Sequence, residues 1–363
     1  NDKNGNLKKI LPWMKEYTSR QIAPNLYLEQ TSLACATRSK FWRKGKRIGN
    51  KIKLIINEDS FSTIDIHSDE DLYLAKMAMN YKKKIMFDSL VSIREAKKLA
   101  EKKIRYSTFQ WLESGAEDNL TYDKNIQDLD KIKVTPRIFN SIKSNNLNFQ
   151  FFGNFYSSPV IVAPMGHQTQ FHPNGELELA KALNNSKKIS SFTTQGRHDF
   201  EQICKQYKNL DAIWQIFPFG DFDWIKKQIL IAENFKAVAI SLCLDAPVRS
   251  HRYDDRETRY DARKFGKFKS KIKSNYKHYF DYDWDIIKKI KKITKLPIIP
   301  KGILSKTDLK DSLKFGADGI WFSNHGGRFF NSGISTSSFM NSIKNEIKEI
   351  KKKNKIIIAD GGI

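Results

Sequence analysis

From about residue 158 onward, short apolar, β-rich runs alternate with amphipathic stretches. The runs fall at 160–164, 189–194, 212–217, 237–242, 297–301, 319–323 and 355–359, and each reads as a strand. Helical periodicity fills the gaps, as in Glu176-Leu177-Glu178-Leu179-Ala180-Lys181-Ala182-Leu183 and around Trp284-Asp285-Ile286-Ile287. Strict alternation of this kind builds parallel βα units. Seven strands predict an α/β fold of the (β/α)8 TIM-barrel type more than an open sheet. No GxGxxG follows the first run, which argues against a dinucleotide-binding sheet. The eighth strand is missing because the sequence stops at Ile363. The barrel is therefore expected to be incomplete at its carboxyl end, with exposed edges where the last strand should pair.

Residues 1–84 follow another pattern and predict a small α+β segment. β-like pieces at 52–56 and 62–66 precede an acidic helix start, Ser68-Asp69-Glu70-Asp71, which continues through Leu72-Tyr73-Leu74-Ala75. Lys82-Lys83-Lys84 marks the expected boundary, giving domains 1–84 and 85–363. A further helix is predicted from Ser92 to about Lys103.

Composition narrows the classes. With 363 residues, 40% of them hydrophobic, and 24 Phe, a sizeable core is available and wholesale disorder is excluded. The three cysteines, Cys35, Cys204 and Cys243, are too few and scattered for a disulfide scaffold. No CxxC pair offers a Cys-rich zinc site, and no metal is expected. No run approaches the roughly 18 apolar residues of a membrane helix. The polar amino end lacks both a secretory signal and an initiator Met, so the chain reads as cytoplasmic and as a piece of something longer. The net charge is +24, but 50 of the 64 basic residues are Lys and only 14 are Arg. The Lys residues fall in helix-surface runs such as Lys351-Lys352-Lys353, which favours solvated faces over a specific nucleic-acid surface.

The densest chemical signal is Ser323-Asn324-His325-Gly326-Gly327-Arg328, directly after an apolar strand. On a barrel, residues just past the carboxyl end of a strand face the active site. There a His can act as a base, Gly-Gly permits close approach of a ligand, and an Arg can clamp a carboxylate through two parallel hydrogen bonds. A lone His in a βα turn would as readily pack; this hexapeptide in this place reads as functional. Lys301 ends the run at 297–301, placing a cation at the same mouth. Asp245 follows the run at 237–242, where it could fix the His325 tautomer and stabilise its imidazolium. Arg249, Arg252 and Arg256 come soon after, though a basic, solvated loop would explain them equally well. Asp360-Gly361-Gly362 ends the last run, and its glycines would let backbone amides approach an anionic group.

Together these residues resemble the FMN-dependent α-hydroxy acid oxidases and dehydrogenases, which include glycolate oxidase, lactate oxidase and the lactate and mandelate dehydrogenases. The resemblance covers about residues 87–363. It takes in Ser114-Gly115-Ala116-Glu117-Asp118, Val162-Ala163-Pro164, His172-Pro173-Asn174-Gly175-Glu176 and the helix led by Trp284. It implies FMN as cofactor, a small 2-hydroxy acid as substrate, oxygen, a quinone or a cytochrome as electron acceptor, and a homo-oligomer. It implies His325 as active-site base with Asp245 as partner, Arg252 and Arg328 as carboxylate clamps, and Lys301 near the flavin N1 end. Pro164, Met165 and Gly166 would lie beneath the flavin ring. Thr194, Gln215 and Ser323 would contact it, and Asp360, Gly361 and Gly362 would begin the phosphate site.

Three positions depart from the family. Trp111 and Phe217 stand where tyrosines are usual, and Cys243 stands where a flavin-contacting Thr is usual. Losing a buried hydroxyl donor costs about 1–3 kcal/mol in a site built to use it, so an altered substrate pocket is expected. The lid-like segment at 262–283 is also short. Separately, Asp65-Ile66-His67-Ser68-Asp69-Glu70-Asp71 resembles the carboxyl end of acylneuraminate-type cytidylyltransferases. His67 replaces an Asp that helps hold Mg2+ there, and an Asp-rich helix start explains the run as well. Two rival functions follow: a cytidylyltransferase fusion with the barrel as passenger, and a basic binding protein on a decayed site.

Overall fold

A computed structural model describes residues 39–46, 64–139, 146–248, 250–262 and 280–362. The chain divides into two compact units, residues 1–96 and 97–363. In the first, the described elements are two helices, Ser39–Trp42 and Asp69–Asp88. The second helix runs through Lys82–Lys84 without a break, because no Gly or Pro interrupts it. Its start is a reciprocal cap: the Ser68 amide donates to Asp71 Oδ2 at 3.0 Å and the Asp71 amide donates to Ser68 Oγ at 3.2 Å. The strand expected at 62–66 is not formed at Ile64–Ile66, which is coil, and the run at 52–56 lies outside the described residues.

The second unit is built on two sheets. A hairpin pairs β1 (Phe149–Phe151) with β2 (Asn154–Tyr156) around Phe152-Gly153, both at positive φ (44° and 88°) as a tight hairpin turn requires. Six parallel strands follow in sequential order: β3 (Ser190–Thr193), β4 (Ala212–Ile216), β5 (Ala239–Cys243), β6 (Ile298–Lys301), β7 (Gly319–Phe322) and β8 (Ile356–Ala359). They form a curled half-barrel, an incomplete (β/α)8 TIM barrel. Strands β3 to β7 are buried along their whole length because side chains alternate between two apolar layers. Phe192, Trp214, Ile216, Leu242 and Phe322 face the outer helices. Ile189, Ile213, Ala239, Ile299 and Trp321 face inward and pack on Phe151 and Tyr156 of the hairpin. The hairpin, which sequence periodicity did not predict, thus plugs the amino end of the strands and leaves the carboxyl end for chemistry.

The run at 160–164 forms no ladder with β3. Pro159 and Pro164 lack amide hydrogens, and Val160 and Val162 are 74% and 40% exposed. The segment lies along β3, tied at its ends by the Ser157 amide to Lys187 O and the His167 amide to Gln195 O, both at 3.2 Å. Among the described residues it has a strand on one side only, so it is extended but unpaired. The helices after the strands begin on side-chain caps: Asp199 with Gln202 in a capping box, Asp221 on the Trp224 amide, and Ser305 on the Asp308 amide.

Candidate active site

The carboxyl ends of β5, β6, β7 and β8 bring Asp245, Lys301, Ser323, His325 and Asp360 together. Lys301 and Trp321 are register partners, and Cys243 pairs with Lys301, so three strand ends stop at one level. Lys301 is almost wholly buried. Its ammonium donates to Ser323 Oγ at 2.6 Å and stands 3.2 Å from Asp360 Oδ2 and 3.8 Å from Asp245 Oδ2. Burial works against that charge, but Asp360 and Asp245 outweigh it and raise the lysine further above its usual range. Burial likewise opposes ionisation of Asp245, yet the His325 ring and Lys301 hold its carboxyl well below the usual range. An ionised Asp245 can only accept, so the Nδ1 of His325, 2.9 Å from Asp245 Oδ1, carries the proton between them.

The turn that carries His325 is tightly tied. His325 itself sits at φ 57°, and its amide donates to Ser323 Oγ at 3.0 Å. Asn324 exchanges hydrogen bonds with Asn125 at 3.1 and 2.7 Å, from the helix Leu120–Asp130, and accepts from the Gly327 amide at 3.2 Å. Gly327 has φ 71°, and a Cβ there would lie 2.5 Å from the Tyr122 amide nitrogen, so this glycine admits the chain's own helix. Gly361 and Gly362 are explained the same way. Their missing Cβ atoms leave room for Asn324 Oδ1 (2.6 Å) and Asn125 Cβ (2.5 Å).

Both arginines turn toward the carboxyl end of the helix Tyr106–Glu113. Arg252, 5% exposed, donates through Nη2 to the Trp111 carbonyl, to Ser114 O at 2.5 Å and to Ser114 Oγ at 2.6 Å. Arg328 donates through Nη2 to Leu112 O at 2.8 Å. Burial lowers both, Arg252 to about 10. The stretch from Ser114 to Glu117 is laced between their loops: the Ala116 amide donates to Gly327 O at 2.9 Å and the Glu117 amide to His251 O at 2.8 Å. Arg252 thus ties three carboxyl-end acceptors of one helix. Arg252→Met is expected to lower stability by about 3 kcal/mol, with Arg252→Lys a poor rescue, read from chemical denaturation midpoints. Arg256 is exposed on the short helix Tyr253–Glu257, while Arg249 and 263–279 of the lid-like segment lie outside the described residues.

The remaining expected positions fall around this centre. Thr194 Oγ1 accepts from the Phe217 amide at 3.2 Å. Gln215 is buried on β4 with Nε2 unpartnered. Pro164, Met165 and Gly166 precede the turn anchored at Gln195; Met165 is 41% exposed and its carbonyl accepts from Gln168 Nε2 at 3.1 Å. Cys243 is fully buried, 3.1 Å from Asp245 Oδ1. Trp111 stacks loosely with Phe171 and Tyr260 beneath the Arg252 guanidinium, 5.3 Å away. Sequence reading missed Asn125, Phe219 and Phe329. Phe217 and Phe329 meet the His325 ring edge-to-face at 6.2 and 4.7 Å, and Phe219 packs on Phe217 at 5.2 Å. The repeated Phe in Phe217-Pro218-Phe219 and Phe329-Phe330 was the available signal.

Residues 100–363 match the family described as FMN-dependent dehydrogenase. The chain belongs to that family. An Arabidopsis thaliana peroxisomal (S)-2-hydroxyacid oxidase is 26% identical over 290 residues, covering 76% of this chain and 78% of the oxidase. Human 2-hydroxyacid oxidase 2 is 27% identical over 283 residues, covering 76% and 80%. Among solved structures, a Pediococcus acidilactici lactate oxidase overlays with a TM-score of 0.67 at 24% identity, covering 76% of each chain. A mandelate oxidase overlays at 0.66 and 23% identity, covering 76% and 79%. These likenesses carry the barrel fold. The family match begins at residue 100, so the cytidylyltransferase-like run at Asp65–Asp71 lies outside it. There His67 Nε2 is 3.1 Å from Asp65 Oδ2 in an exposed setting, next to the helix cap. No helix among the described residues is long and apolar enough to cross a membrane.

Proposed function

We propose that this FMN-dependent dehydrogenase oxidises a 2-hydroxy acid with an apolar side chain to the 2-oxo acid. One observation carries the reading: the His325–Asp245 pair, at 2.9 Å, stands beside a buried Lys301 at the open end of the strands. The chain's own residues suit the cofactor of its family. Lys301 is a permanent buried cation, and Gln215 Nε2 is a buried donor with no protein partner, the kinds of group that flavin nitrogen and carbonyl edges need. Thr194, Cys243, Ser323 and the segment Pro164-Met165-Gly166 would complete the ring site, with Asp360-Gly361-Gly362 toward the phosphate. When bound, FMN supplies the acceptor for the two electrons that leave the substrate carbon. His325 takes a proton from the substrate at Nε2, and the ionised Asp245 stabilises the imidazolium so formed. Lys301 holds positive charge where negative charge accumulates. Arg252 and Arg328 place guanidinium groups at the helix end that bears Trp111, where their positive charge would draw a substrate carboxylate.

The substrate's side chain meets phenylalanine. Phe217 and Phe329 stand against the imidazole, Phe219 packs on Phe217, and the two usual tyrosine hydroxyls are replaced at Trp111 and Phe217. Purified protein is expected to carry FMN absorbance and to be bleached anaerobically faster by branched or aryl 2-hydroxy acids than by glycolate. A protein that takes up no FMN, or none of whose flavin is reduced by any 2-hydroxy acid, overturns the function. Reoxidation of the bleached protein by oxygen, a quinone or a cytochrome then identifies the acceptor. Phe217→Tyr is expected to lower KM for glycolate about tenfold, the effect of one recovered hydrogen bond, measured by steady-state kinetics. An unchanged KM would place the carboxylate elsewhere.

A further inference from the structure

Cys243 joins the Asp245–His325 pair in a cluster of three potential metal ligands. Cys243 Sγ lies 3.1 Å from Asp245 Oδ1 and 3.9 Å from His325 Nδ1, and Nδ1 lies 2.9 Å from Oδ1. One potential ligand atom from each side chain therefore stands within 4.8 Å of the others. The geometry follows from the fold. Cys243 and Asp245 are two residues apart at the end of β5, and His325 follows β7, two strands away in the sheet.

A tetrahedral zinc ion bonds sulfur at about 2.3 Å and nitrogen or oxygen at about 2.0–2.1 Å, which spaces its ligand atoms roughly 3.3–3.6 Å apart. The three observed separations straddle that spacing, so an ion fits with shifts of about half an ångström. A thiolate, an imidazole and a carboxylate make a set that suits zinc and disfavours calcium or magnesium, which take oxygen. Charge also closes. A divalent ion is neutralised by the Cys243 thiolate and the Asp245 carboxylate, while Lys301, 3.8 Å from Asp245 Oδ2, is balanced by Asp360 at 3.2 Å. His325 is 23% exposed and Asp245 10%, so the cluster is reached from the imidazole side.

We propose that Cys243, Asp245 and His325 form an inhibitory binding site for Zn2+. The ion bonds Nδ1 and takes the place of the hydrogen bond to Asp245. The Cys243 thiol releases its proton to solvent as the thiolate–metal bond forms. The imidazole proton then resides on Nε2, which has no lone pair left to receive a proton from substrate. Zinc and turnover exclude one another. This inhibition rests on the reading of His325 as base; the binding itself does not.

The test titrates the FMN-loaded protein with ZnCl2 by calorimetry, and with CdCl2 by the ultraviolet thiolate-to-metal absorption band. About one ion per chain is expected, with the cadmium band present, and Cys243→Thr is expected to weaken zinc about 100-fold or more while Cys204→Ser leaves it unchanged. Anaerobic flavin bleaching by a 2-hydroxy acid should stop at one zinc per chain and return with EDTA. No zinc uptake, or no cadmium–thiolate band in the unmodified protein, overturns the site whether or not the variants fold. Zinc held through Cys243 with undiminished bleaching overturns the inhibition, and His325 as base with it.

Discussion

His325→Ala is expected to slow flavin reduction by a 2-hydroxy acid about 10³-fold while FMN stays bound, the usual scale for removing a positioned general base. The imidazole is held from three sides. Asp245 accepts from Nδ1, the Ser323 hydroxyl accepts from the His325 amide, and Phe217 and Phe329 stand against the ring. None of these supports is proposed to carry the flavin alone, and Lys301 and Gln215 are untouched by the change, so FMN content should persist. Backbone strain is not the cause of any loss, because His325 already occupies φ 57° as a residue with a Cβ and alanine adds no new clash there. Stopped-flow bleaching under anaerobic conditions separates the chemistry from reoxidation. Undiminished bleaching would remove His325 from the role. Asp245, held well below the usual carboxyl range, stays ionised throughout ordinary assay conditions, so it does not set the acid limb of the pH–rate profile.

Lys301→Met is expected to cost about 3–5 kcal/mol of stability at pH 7, because two carboxylates lose one buried cation. The pH dependence distinguishes this cause from simple repacking. In the unmodified protein, the Asp245 contribution is fully present above the unfolded carboxyl value of about 3.9 and is lost as pH falls through its lower folded value. The Lys301 contribution is fully present below the unfolded value of about 10.4 and is lost as pH rises through its raised folded value. Between about pH 5 and pH 9 the cluster therefore adds a constant amount. In the variant, Asp245 loses one of the two charges that hold its carboxyl low, so less stability is left to lose in acid. The gap between the two proteins should therefore stay constant from about pH 5 to pH 9 and narrow as pH falls below about 4. Urea midpoints between about pH 3 and pH 7 decide it. Parallel curves for the two proteins would mean the ammonium contributes packing and not charge.

Much of this was legible along the chain. Six of the seven expected strands formed the sheet within a residue or two of their expected positions, because buried strands and amphipathic helices impose different periods on neighbouring residues. The exception at 160–164 has the right composition, but prolines at each end and a one-sided neighbourhood keep it out of the ladder. Ser323 to Arg328 was legible because a motif placed directly after a strand inherits its position from that strand. The hairpin that plugs the strands was not, since each of its strands has only three residues and carries no period.

Local pattern by itself determined the barrel class and which strand ends carry polar residues, since both depend on neighbours within a few positions. Only the tertiary structure decided what those residues touch. Asp245 meets His325 across 80 residues, and Asn125 meets Asn324 across 199. The guanidinium of Arg252 ties a helix end 138 residues away, and Cys243 comes into reach of the imidazole across 82. Such pairings are set by strand register and helix packing, which bring distant segments within hydrogen-bond reach and leave no periodic trace along either segment.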